Sequence, residues 1–210
     1  MMIATDKAEA KMRKTLVALL VASLAAPIVA LAAEQVAEPA SGVQFDSEIG
    51  GLSLLGTGLR TKTILKVKVY AVGLYADAKA LAAHKGKTDT PAFYQALVWG
   101  DFRREIRMKF IRESIPADKI REAFAEGLGK ADASLRDKFL SFFGDIKAGD
   151  EYIIRWLPGG TLETVVAGQA REPIADKTFA AAVFAIWLGE KPIQADIKRG
   201  LVSRAAVTLK

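Results

Sequence analysis

The side chains able to do chemistry in this chain are few. There is no cysteine and a single histidine, His84, set in the polar run Ala83-His84-Lys85-Gly86-Lys87. Thiol catalysis and cysteine-held metals are excluded, and one loop histidine falls short of the several N/S ligands zinc takes. No elbow motif surrounds a serine, so a Ser-His-Asp triad on His84 lacks its setting. What stands out is Gly56-Thr57-Gly58-Leu59-Arg60, which runs past Lys62, Lys66 and Lys68 into Val69-Tyr70-Ala71-Val72-Gly73-Leu74-Tyr75. A G-x-G turn can cradle phosphate, but that use needs a helix N-terminus behind the glycines. Here a β-forming run follows, so the glycines mark a bulge or tight bend. Arg60 is then either a strand-end surface residue, the commoner case, or a ligand clamp. An arginine fork grips a carboxylate through two charge-assisted hydrogen bonds. Lys62, Lys66 and Lys68 read as a solvated face.

The elements that must position these residues follow from periodicity. Leu52 to Gly58 is an apolar segment ending in the G-T-G turn, and Thr63 to Ala76 is a long strand. In that strand Leu65, Val67 and Val69 alternate with Lys66 and Lys68; past Tyr70 both faces turn apolar. Ala78 to Ala83 suggests one or two helical turns, and Phe93 to Val98 is ambiguous. Arg104 to Arg112 alternates Ile106, Met108 and Phe110 against Arg107, Lys109 and Ile111, and reads as a strand. A helix then starts with Ser114 as N-cap and Pro116 in its first turn, with Ile120, Ala123, Phe124 and Leu128 on one stripe. Leu135 to Phe143 makes a second amphipathic helix. Glu151–Trp156 and Thr161–Val166 flank Pro158-Gly159-Gly160 as a hairpin. Thr178 to Leu188 is a buried helix stopped at Gly189, and Ala195 to Leu201 a last short one. Trp156, Trp187 and the phenylalanines are core. The pattern is α+β: an open antiparallel β-sheet with a layer of helices on one face.

The ends and the charge bound the rest. Met12-Arg13-Lys14 opens a basic patch, Thr15 to Ala33 carries no charge, and Ala30-Leu31-Ala32 places small residues where a signal peptidase reads. Residues 1–32 are therefore expected to be a signal peptide cleaved near Ala32, with Met12 an alternative start. A retained membrane anchor is the competing reading, given the length of the uncharged run. Residues 33–42 read as a linker and 43–210 as the folded domain. The net charge of +6 becomes +4 once the four basic and two acidic residues of 1–32 are removed. That mild excess, without basic–aromatic interleaving, gives no support to nucleic-acid binding. The expected location is periplasmic or secreted, with membrane contact only through the signal segment if it is uncleaved.

The segments resemble the chalcone isomerase superfamily in wording and order. The resemblance rests on G-T-G-L-R (56–60), K-V-Y-A-V-G-L-Y (68–75), R-M-K-F-I-R-E (107–113) and W-L-G-E-K-P-I (187–193), and covers Val43 to about Val202. The bacterial, signal-bearing members look most similar. The resemblance implies a cleft between sheet and helices, no cofactor, and in the plant isomerases a phenolate attack on an enone that closes a flavanone ring. The turn arginine of those enzymes matches Arg60. Their strand threonine falls at Tyr70, their catalytic tyrosine at Pro116, and their helix asparagine near Ala123 or Phe124, so most of the isomerase polar groups are missing. Non-catalytic relatives bind fatty acids in the same cleft through an arginine and a tyrosine, roles that Arg60 and Tyr70 fit. The expectation is a non-catalytic protein binding a hydrophobic carboxylate such as a fatty acid, with Arg60, Tyr70 and Tyr75 as ligand-binding residues. The alternatives are an isomerase (intramolecular lyase), with a second acid/base group from Tyr75, Tyr94 or Tyr152, and a haem or other tetrapyrrole binder.

Overall fold

A computed structural model describes residues 34–62 and 65–210. The signal segment, the first linker residue and the first two residues expected in the long strand lie outside the described residues.

Residues 35–42, expected as linker, are built into the fold. β1 (Gln35–Ala37) pairs antiparallel with β2 (Gln44–Asp46). Their connection is fixed by Glu38, buried, whose carboxylate accepts from the Ser41 amide at 2.7 Å and its hydroxyl at 2.6 Å. Small polar residues mimic a linker in composition, but here they form a tight turn.

β3 (Glu48–Ile49), β4 (Leu52–Lys62) and β5 (Val67–Ala76) follow. β4 corrects the expected turn at Gly56-Thr57-Gly58: the strand continues through the segment with a bulge, and Arg60 lies near its end. β5 correspondingly begins at Val67, with Leu65 and Lys66 in the turn before it. Helix α1 (Pro91–Trp99) resolves the ambiguous Phe93–Val98 segment and is capped by the Thr90 hydroxyl. β6 (Arg104–Phe110) is as expected, but Ser114 is no cap. It pairs as β7 (Ser114–Ile115) with β8 (Ile146–Lys147), flanking α2 (Ala117–Leu128) and α3 (Ala133–Ser141). Pro116 occupies the N-cap position, without a side-chain cap bond. The hairpin β9 (Glu151–Leu157) and β10 (Thr161–Val166) forms as expected, trailed by β11 (Gln169–Ala170) and β12 (Ile174–Ala175). Helices α4 (Lys177–Leu188), α5 (Ala195–Gly200) and α6 (Ala205–Thr208) complete the order.

The main sheet runs β11-β10-β9-β6-β5-β4-β3, with β12 on β10 and every pair antiparallel. Alternation divides it into two faces. Tyr70, Val72, Leu74, Ile106, Met108 and Ile154 join the helices, Phe124, Phe139, Phe184 and Trp187 included, in the main core. On the opposite face Ala71 and Tyr75 join Leu52, Leu54 and Phe45 in a smaller cluster. The β1–β2 hairpin supplies Phe45, which lies over Gly73: a Cβ there would sit 2.8 Å from its ring. The architecture is the expected open antiparallel sheet with helices on one face, the other face being partly covered by a hairpin.

The glycines of G-T-G have a long-range reason. A Cβ on Gly56 would lie 2.2 Å from the Gly200 carbonyl oxygen, and one on Gly58 would lie 3.1 Å from the Ile197 Cα. Backbone of α5 rests directly on β4, and only glycine leaves room for it. The register shift between Leu54 and Gly56 marks the bulge expected there.

Candidate functional site

Arg60 on β4 and Tyr70 on β5 are register partners. Immediately beyond them the register shifts so that Thr61 pairs with Lys68, leaving Val69 as the extra residue of a bulge. Val69 and Tyr70 both line a cavity of about 350 Å³. Its floor is this end of the sheet. Its wall is α2, whose Ile120, Ala123 and Phe124 recur at helical spacing on the facing side.

The lining is mostly apolar, and its polar groups are basic or neutral. Lys62, Arg112 and Lys119 stand with Arg60 around it, and among the described residues no carboxylate lines it. The Arg60 guanidinium is held from one side. Its Nη1 donates to the Thr61 carbonyl at 3.2 Å, the Ile193 carbonyl at 3.4 Å and Gln194 Oε1 at 3.2 Å. Gln194 in turn accepts from the Thr61 amide at 3.2 Å, and its Nε2 donates to the Leu59 carbonyl at 3.3 Å. The bend after Trp187-Leu188-Gly189-Glu190-Lys191-Pro192-Ile193 thus fixes the arginine. Among the described residues, Arg60 Nε and Nη2 have no protein partner, so part of the fork stays available.

Tyr70 is 4% exposed. Its hydroxyl accepts a hydrogen bond from Trp187 Nε1 at 3.2 Å. An indole only donates, so the phenol oxygen is the acceptor and its own proton is free to be given away. Burial raises the phenol above its ordinary pKa, while the Trp187 hydrogen bond and the Arg60 charge pull the other way. The phenol is therefore neutral at physiological pH and acts as a donor. Arg60 and Tyr70 together offer a cationic fork and a hydroxyl proton at one end of an apolar cavity, the donor set that suits a carboxylate.

Tyr75 does not belong to this site. It is five residues from Tyr70, an odd step, and so faces the other side of the sheet. There it is 1% exposed, and its hydroxyl donates to the Asp46 carbonyl at 3.0 Å. Tyr94 donates to Asp89 at 2.8 Å, away from the cavity, and Tyr152 is core, edge-on to Phe110. None of the three supplies a second acid/base group beside Arg60. The positions matched to the isomerase tyrosine and asparagine do reach the cavity wall, but as Pro116, Ala123 and Phe124. Of methionine and tyrosine, the axial haem ligands expected in a chain without cysteine, only Tyr70 is among the described lining residues, and its oxygen accepts from Trp187. His84 packs its ring 5.5 Å from Phe93 instead. Among the described residues no cluster of His, Cys, Asp or Glu could hold a metal ion. Gln194, which orients Arg60, was not anticipated; nothing but its place after the W-L-G-E-K-P-I segment could have marked it.

Comparison with known proteins identifies the family. The chain is 29% identical over 205 residues to fatty-acid-binding protein 1 of Arabidopsis thaliana, covering 85% of this chain and 73% of the relative. It is 30% identical over 175 residues to chalcone isomerase-like protein 1 of Humulus lupulus, covering 73% and 82%. Chalcone–flavanone isomerase 1A of Glycine max is 29% identical over 200 residues, covering 83% and 89%. These relatives are plant proteins. The crystal structure of the Arabidopsis thaliana fatty-acid binding protein superposes with a TM-score of 0.72 at 23% identity, over 84% of this chain and 99% of the other, a likeness of fold. The family described as chalcone isomerase-like matches residues 37–203, and the chain belongs to it.

Proposed function

We propose that this protein is a non-catalytic binder of a hydrophobic carboxylate, most simply a fatty acid. The observation that carries the reading is the cavity itself. Arg60 and Tyr70 lie side by side at its floor with donors to spare, and the wall positions that would complete an isomerase are Pro116, Ala123 and Phe124. The carboxylate would take the free edge of the Arg60 fork and the Tyr70 proton. The acyl chain would run along Val69, Ile120 and Phe124, each buried methylene contributing about 0.8 kcal/mol. The Arabidopsis relative named for fatty-acid binding supports the same choice. Extraction of the natively purified protein followed by mass spectrometry of the lipid fraction should yield a long-chain carboxylic acid. Extracts without one, together with no affinity for added fatty acids, would refute the reading.

One observation favours a second reading, an intramolecular lyase of the isomerase type. Tyr70 has a proton to give beside a cation, as an acid catalyst and an anion stabiliser would be placed. The soybean isomerase is among the relatives. Turnover of naringenin chalcone above the buffer rate, lost in Tyr70→Phe, would establish it.

Export from a bacterial cell is proposed on sequence alone. It is supported by the basic start, uncharged run and Ala30-Leu31-Ala32 of residues 1–32. The intact mass of the protein from its native host should correspond to a chain beginning near Ala33.

A further inference from the structure

We propose that the turn joining β4 and β5 docks the cavity mouth onto an anionic lipid surface, where ligand enters and leaves. The inference rests on the carboxylate-binding reading above and adds where the exchange takes place. Leu65 is 86% exposed and Val67 37% exposed. They are two of the four large apolar side chains left in solvent among the described residues, the others being Trp99 and Val207. A leucine in the turn that leads into β5, followed two residues later by an exposed valine, is apolar surface left uncovered among the described residues.

The charges around it decide what covers it. Lys62, Lys66, Lys68 and Arg112 surround the turn and the adjoining strand, and all four are exposed. Among the described residues none of them forms an ion pair with a carboxylate; Lys68 Nζ donates to the Ala40 carbonyl at 2.6 Å. Against them stands the exposed Glu113. Lys119 is left out of the set, because its Nζ lies 3.1 Å from Glu122 and 3.9 Å from Asp118. An apolar tip ringed by cations is the arrangement that enters the headgroup boundary of an anionic bilayer: the apolar side chains bury, and the lysines meet phosphate.

Part of this basic ring borders the cavity. Lys62 and Arg112 line it together with Val69, Lys62 pairs with Val67, and the Ile111 and Arg112 amides donate to the Val69 carbonyl at 3.0 and 3.3 Å. Docking this end against lipid lets an acyl chain pass between bilayer and cavity without crossing water.

The test is co-sedimentation of the whole protein with vesicles of phosphatidylcholine alone or with added phosphatidylglycerol. Wild type should sediment with the anionic vesicles and not with the neutral ones, and high salt should release it. Leu65→Glu and Lys66→Glu should each weaken that binding on the order of tenfold. Neither residue lines the cavity, so both variants should bind a fluorescent fatty acid in vesicle-free buffer as wild type does. Equal partition of wild type and Leu65→Glu, or no preference for anionic vesicles, overturns the docking proposal. Failure of wild type to bind the free fatty acid overturns the carboxylate reading instead. Capture of an acidic protein through Leu65 without any vesicle binding would assign the tip to a protein partner and overturn the lipid assignment.

Discussion

β5 carries one tyrosine on each face, and the two are used differently. Tyr70 faces the helices with its oxygen accepting from Trp187 and its proton unspent, beside the partly free fork of Arg60. Tyr75 faces the β1–β2 hairpin with its proton already given to the Asp46 carbonyl. Phe45 seals that side against Gly73. Both tyrosines are buried, so burial alone does not separate a binding group from a packing group. What separates them is the accounting of donors. A hydroxyl whose proton goes to the protein holds the fold together, and one whose proton is left over is available to a ligand. Two arginines repeat the lesson. Arg104 lies 3.8 Å over the Trp156 ring, and its Nη atoms donate to the carbonyls of Val98 and Gly100 at 2.8 and 2.6 Å, where α1 ends. Desolvation lowers its pKa to about 9. Its Nη groups are spent on backbone, and the one donor left over, Nε, is buried; it is a structural cation, whereas the spare donors of Arg60 stand at a cavity.

The largest expected effect lies on the sealed face. Phe45→Ala should cost about 3–5 kcal/mol of stability by urea unfolding, because a fully buried ring is lost over a glycine that cannot fill the gap. Fatty-acid affinity of the fraction that remains folded should be unchanged, and a fall would break the separation of the two faces. Tyr70→Phe should cost about 1–3 kcal/mol, since it strands the Trp187 indole N–H in the core, and it should also weaken ligand binding. Tyr75→Phe removes only the bond to the Asp46 carbonyl. It should cost about 0.5–1.5 kcal/mol and leave binding alone. Parallel titrations of these two variants sharpen the comparison most cheaply.

The smallest effect is in pH. Burial holds the Tyr70 and Tyr152 phenols above their ordinary value, Tyr152 at about 12. Below the ordinary value of about 10 both states keep the proton, and stability is unaffected. Above it the unfolded chain releases protons that the folded chain retains. Stability should therefore decline as pH rises from about 10 toward the folded-state values. Because Tyr70 stays neutral, carboxylate binding should be level from neutral pH to about pH 9. A drop in that window would mean that Tyr70 ionises and that its donor role is wrong.

Much of this was legible before the structure. Alternation along Ile106, Met108 and Phe110 marked the central strand, and the apolar run to Gly189 marked α4. The family resemblance led to Arg60 and Tyr70, and through them to the cavity. The misplacements have separate physical causes. The G-T-G segment looked like a turn because glycine weakens strands locally; its reason for being there, the α5 backbone laid across it, is a contact between residues far apart in sequence. Ser114 looked like a cap because nothing local reveals its pairing with Lys147. Residues 35–42 looked like a linker because small polar residues compose linkers and tight turns alike. Tyr75 is a different case, since the odd spacing from Tyr70 already put the two on opposite faces. The bulge that turns Val69 and Tyr70 together toward the cavity, and the grip of Gln194 on Arg60, were beyond any local reading.

The most direct test of the account compares a fatty acid with the alcohol of the same chain length, titrated into wild type and into Arg60→Ala. Hydrogen bonds to a charged partner contribute about 1.5–3 kcal/mol. Wild type should therefore prefer the acid by roughly ten- to a hundredfold, and Arg60→Ala should bind acid and alcohol alike, with the alcohol's affinity little changed. Equal binding of acid and alcohol by wild type, or a preference for the acid that survives Arg60→Ala, would contradict the claim that Arg60 and Tyr70 hold a carboxylate.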